Sequence, residues 1–153
     1  MHTKTLFWIS FFLLLFCPSW PLLFFAPYIV ACSYRFGLMP TLWRTLGVSL
    51  LVNFFSSSEG FGLIALSYSL SSLLLFVHIR TFFADNWSTL PLMTYLFSLY
   101  SSLFYFLLFP IFGQSFCLTP RVMITEILLS PLSDALLAAI VLLIMQSRKK
   151  VIS

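Results

Sequence analysis

Chemistry needs polar groups that converge, and this chain of 153 residues has few to offer. Its acids are Glu59, Asp85, Glu126 and Asp134, its histidines His2 and His78, and its cysteines Cys17, Cys32 and Cys117. They form no Ser-His-Asp set, zinc signature or phosphate loop. The cysteines lack any CxxC or other metal-ligand spacing, and an odd number scattered over apolar stretches gives no disulfide framework. They read as small buried apolar side chains. His78 ends an apolar stretch beside Arg80, which suits an interfacial residue better than a general base. Gly60-Phe61-Gly62 has no third glycine, no preceding strand and no partner acid, so it reads as a turn leading into a close-packed helix start rather than a nucleotide loop. No enzyme activity, cofactor, metal or nucleic-acid partner is expected from these residues.

Two acids stand out because they fall in the last apolar run, Glu126 near its outer end and Asp134 near its middle. A charge near the centre of a bilayer costs at least about 2.5 to 3.5 kcal/mol to insert. Asp134 is therefore expected to face other helices, to be protonated, or to touch a partner. Ser130, Ser133 and Ala138 give it small, hydrogen-bonding surroundings, and Pro131 is expected to loosen the local backbone ladder. A packing or partner contact is favoured over a transport site. Ser67, Ser69, Ser71 and Ser72, with Ser98, Ser101 and Ser102, read likewise as helix-packing positions, and the 19 phenylalanines mostly as lipid-facing.

The elements that must position these groups follow from composition. With 61% hydrophobic residues, a mean hydropathy of +1.06 and only 8% charged residues, the chain has more apolar surface than one small core can bury. Lipid must cover the rest. Runs of about 17 to 25 apolar residues can cross the hydrocarbon as helices. An all-α bundle of about six transmembrane helices in one domain, 1–153, is expected, with spans near 5–18, 21–35, 41–56, 61–79, 90–112 and 122–145. Pro18-Ser19-Trp20-Pro21 reads as a tight turn between the first two spans; the alternative is one long kinked helix. Lys4 followed by Leu6 to Phe16 also has the layout of a signal peptide, but no small-residue cleavage site follows, so the segment is expected to be retained. With both ends cytoplasmic, Lys4, Arg35, Arg44, Arg80, Arg148, Lys149 and Lys150 lie inside and only Arg121 outside, as the positive-inside rule requires. The last three would anchor the C-terminus against an anionic leaflet.

One stretch carries more than composition. Through Gly47, Asn53 and Phe61-Gly62-Leu63-Ile64-Ala65-Leu66-Ser67-Tyr68 the chain resembles the rod shape-determining protein MreD family. Pro21 takes the family's proline near the start of the second span, Gly47 and Ser49 its small positions, and Ser56 to Gly60 its short loop. Asp134 stands where the family has Asn in the last span, ahead of a basic tail like Arg148 to Lys150. The chain departs from the family at Asn53, usually Asp there, at Ser101 or Ser102, where an acid is common, and at Ala138 and Ala139, near which a proline often follows the Asn. The resemblance implies a multi-pass, non-enzymatic scaffold of the bacterial inner membrane. Such a scaffold would help to organise peptidoglycan synthesis in the cell-elongation complex, with MreC, MreB and other elongation-complex membrane proteins as partners. Asn53, Gly60, Gly62 and Asp134 are the expected packing or partner contacts.

The rival reading is the substrate-binding S component of an energy-coupling-factor vitamin transporter. Such a subunit usually presents an Ala-x-x-x-Ala surface on its first span. Leu6 to Cys17 has no alanine, and that spacing occurs only at Ala135 and Ala139.

Overall fold

Proline sets where several helices begin in the computed structural model, which describes residues 3–16, 25–55, 62–82, 89–112 and 124–152. Pro27 and Pro91 stand in the opening turns of α2 (Ala26–Arg35) and α5 (Leu90–Leu108), where a missing N–H leaves no intrahelical bond unmade. Pro40 does the same for α3 (Leu38–Phe55), so that helix opens before the expected residue 41. The other helices are α1 (Thr3–Phe16), α4 (Leu63–Phe82) and α6 (Ser130–Ile152). A 3-10 turn, Phe109–Phe112, extends α5 around Pro110. All regular structure among the described residues is helical.

Four stretches are long and apolar enough to cross a membrane: Leu38–Phe55, Leu63–Arg80, Leu90–Phe112 and Ile127–Ile144. α1, with 14 residues, and α2, with 10, fall short. At 1.5 Å per residue α2 measures about 15 Å, half the hydrocarbon thickness. α1 is as long as the expected span 5–18 and α2 lies within the expected 21–35, but neither is long enough alone to count as a membrane span, and the turn at Pro18 to Pro21 lies outside the described residues. A single kinked helix is excluded. In a continuous helix Phe7 and Phe25 would stand about 27 Å apart, whereas their ring centroids are 5.8 Å apart, and the Phe7 ring lies 5.4 Å from that of Tyr28. α1 and α2 lie side by side.

α2 is the centre of the bundle. Ala26, Pro27, Ile29, Val30, Ala31, Cys32 and Ser33 are all buried, because α1, α3, α4, α5 and α6 each pack against some part of it. Cys32 fits the reading of a small buried side chain. Around α2 the longer helices follow in chain order, α3 on α4, α4 on α5 and α5 on α6. Phe25, Ile29, Val30, Leu75, Met93 and Phe97 fill the main core. Leu63, Leu108 and Phe109 form a second cluster, which brings the start of α4 beside the end of α5. The phenylalanines divide between the two environments: Phe25 and Phe97 are fully buried, whereas Phe54 is 83% exposed and Phe16 79%. Among the described residues only Phe25, Phe97 and Phe109 are buried, where large rings fill gaps between small-residue helix faces.

Two local departures from α geometry have sequence causes. Gly62 adopts φ of 92°, a left-handed conformation that favours glycine, and its carbonyl accepts the Leu66 N–H at 2.9 Å. A Cβ there would meet nothing within 4 Å, so the expected close helix approach is not what the residue provides. It provides the turn. Gly47, expected as a small packing position, is exposed, with nothing within 4 Å of where a Cβ would stand. Ahead of α6 a π turn, Thr125–Leu129, widens the chain so that the Ser130 N–H reaches the Thr125 carbonyl. The Pro131 ring would crowd the carbonyl of Ile127 in a regular helix, and the wider turn relieves that crowding.

Candidate functional site

Small polar side chains recur at four-residue intervals along each long helix, and that spacing keeps them on nearly one face. Thr41, Thr45, Ser49 and Asn53 on α3 are buried, as are Ser67 and Ser71 on α4, Thr94 and Ser98 on α5, and Ser130 and Asp134 on α6. The outer surface is the reverse, with Trp43 74% exposed, Ile111 73% and Leu143 61%. A molecule with hydroxyls inside and Trp, Ile and Leu outside is built for an apolar solvent.

Most of these hydroxyls are satisfied without another helix. Thr45 donates to the Thr41 carbonyl at 2.9 Å, Ser71 to Ser67 at 2.6 Å, and Thr94 to Leu90 at 2.8 Å. Such back-bonding lets a polar atom sit in a dry interface and still allows close helix approach. Thr45 and Ser72 also meet across α3 and α4 at 3.1 Å. At the rim of the α4–α5 contact, the His78 ring takes Nδ1 to the Leu74 carbonyl at 2.9 Å and Nε2 to the Tyr100 hydroxyl at 3.4 Å. His78 is a partly buried packing residue.

Asp134 differs because a carboxylate cannot back-bond to its own helix. It is 2% exposed and accepts a hydrogen bond from the Ser98 hydroxyl of α5. Tyr68 of α4, itself buried, lies close enough to feel the Asp134 charge, and its ring sits edge-on to Phe97 at 5.8 Å. The carboxyl thus ties α5 and α6 together in the bundle interior. Of the expected arrangements, the one in which Asp134 faces other helices is found. Asn53 is also turned inward, at 5% exposure. Ser101 is buried, with no hydrogen-bond partner for its hydroxyl among the described residues. Gly60 lies outside those residues, and Gly62 stands apart from the buried polar set as the turn into α4.

No family model, curated protein or solved structure matches this chain. The bundle's own geometry is then the guide to function. Among the described residues no three His, Cys, Asp or Glu side chains come together to hold a metal. What the arrangement does is hold helices in register. Sequence reasoning singled out Asp134 and the serines but missed Tyr68 as a neighbour of the carboxyl and the Tyr100 contact of His78. It also missed the α3 row of Thr41, Thr45, Ser49 and Asn53, whose four-residue spacing was the signal that would have found it.

Proposed function

We propose that this protein is a non-enzymatic, multi-pass scaffold of the bacterial inner membrane that serves the cell-elongation complex and so helps to organise peptidoglycan synthesis. In this reading α1 and α2, with the residues between them, add two passes to the four long helices and leave both chain ends in the cytoplasm. The observation that carries it is the burial of the segment resembling the MreD family: Leu63, Ala65, Ser67 and Tyr68 all turn into the bundle, Tyr68 against Phe97. The likeness therefore rests on residues that build the fold. Because the polar groups are spent on internal packing, the surface left for MreC and other elongation-complex membrane proteins is the apolar outer face. MreB, on the cytoplasmic side, would be reached through the basic ends of the helices.

The test is depletion of the protein in a rod-shaped cell, followed by complementation, with cell width and MreC co-purification as readouts. Widened cells on depletion and recovery of MreC with the parent protein are expected. Normal width with no MreC recovered would sink the scaffold reading, and a vitamin bound to the purified protein would favour the transporter subunit.

A further inference from the structure

The chain crowds positive charge into one place that the buried polar set does not use. Lys4 from α1, Arg35 from the end of α2 and Arg44 from the first part of α3 line a single cleft of about 560 Å³, together with Thr3, Trp8 and Tyr28. Among the described residues the lining carries three positive charges and no acid. Bringing Lys4 of α1 and Arg44 of α3 into one cleft works against their mutual repulsion, which an anion between them would relieve. The cations are also held in place. The Arg44 guanidinium lies 3.5 Å from the centroid of the Phe36 ring and that of Arg35 lies 5.7 Å from it, so one aromatic ring orients both forks. A planar guanidinium positioned in this way matches the paired oxygens of a phosphate.

The walls specify the rest of the ligand. Trp8 is 56% exposed, and beside the cleft the outer faces of α1 and α3 carry Phe12, Trp43 and Leu50, all exposed and apolar. Tryptophans on an otherwise apolar surface next to Lys and Arg mark the headgroup level of a bilayer. A molecule seated here would have its phosphate among the cations and its remaining bulk against lipid-facing helix surface. We propose that this cleft binds the phosphate headgroup of an anionic phospholipid, with the acyl chains lying along α1 and α3. The proposal rests on the membrane placement of the helices and not on the scaffold reading.

The experiment is native mass spectrometry of the detergent-solubilised full chain titrated separately with phosphatidylglycerol, phosphatidylcholine and glycerol 3-phosphate. Phosphatidylglycerol should be retained in preference to phosphatidylcholine. The double variant Arg35→Gln/Arg44→Gln should lose about 25-fold in retention, and the exposed Lys4→Gln about fivefold, as expected for one interfacial charge each. Arg80→Gln, which removes a charge outside the cleft, should retain lipid like the parent. Equal retention of the two lipids, unchanged retention in the double variant, or an equal loss in Arg80→Gln would overturn the proposal. Saturation by glycerol 3-phosphate alone would replace the lipid with a soluble phosphate and overturn it too. Should the double variant fail to give a monodisperse helical protein, Lys4→Gln decides, and unchanged retention in that variant sinks the site.

Discussion

The serines at 98 and 101 lie one turn apart on α5, are both buried, and hold their hydroxyls in opposite circumstances. Ser98 donates to a buried carboxyl, whereas the Ser101 hydroxyl meets no partner among the described residues. Removing a donor from a buried acid costs about 1 to 3 kcal/mol, and removing an unused hydroxyl costs little or stabilises. Ser98→Ala should therefore lower the thermal unfolding midpoint in detergent clearly, while Ser101→Ala leaves it unchanged or raises it. Equal effects would mean that the Asp134 contact does not matter to stability. Asp134→Asn keeps an acceptor for Ser98 and should be tolerated better than Asp134→Ala. The glycines give a second comparison. Gly62→Ala places a side chain at φ of 92° and should destabilise by about 1 to 2 kcal/mol through backbone strain, although nothing crowds the new methyl. Gly47→Ala, in an exposed helix interior with open space around it, should stabilise by about 0.5 to 1 kcal/mol. Unfolding curves of the two variants should shift in opposite directions.

Elements were legible where length and hydropathy alone decide them. The four long helices fall close to the apolar runs, because a run that must span lipid leaves little freedom in where it starts and stops. α1 and α2 were harder to read, since shared burial, not length, keeps a helix of 10 residues in place. The loosening of the local backbone ladder expected at Pro131 takes the form of the π turn Thr125–Leu129; its geometry was not legible because periodicity arguments assume a constant turn. Pro131→Ala should let residues 125–129 return to α geometry and so rotate the residues ahead of α6 relative to Asp134. Cysteine accessibility at Ile124 and Leu128, both exposed in the parent, reports that rotation. Unchanged labelling at both would show that the turn does not depend on the proline.

For the whole molecule, the useful quantity is which end each charge occupies. Lys4, Arg35 and Arg44 share one cleft, and the Tyr34 hydroxyl meets that of Thr89 at 2.5 Å, which brings the start of α5 to the same end. The positive-inside reading requires this clustering, and it was legible because loop charges in a membrane protein are a topological signal rather than a packing detail. Single cysteines at positions 59 and 85 are expected to label from opposite faces of sealed vesicles, 59 from outside. Labelling of 85 but not 59 from outside would invert the assignment.

The central place of α2 bears on how the protein is made. This helix leaves the ribosome before α3 to α6, so much of what covers it, on α4, α5 and α6, is synthesised afterwards. Until α6 arrives, Ile29 and Val30 have only part of their final surroundings, and the Ser98 hydroxyl lacks its carboxyl. The described bundle is thus complete only when α6 is in place. A chain interrupted before α6 presents an unfinished helix interface inside the bilayer, the kind of surface by which a cell's proteolytic machinery can tell a partial product from a finished one.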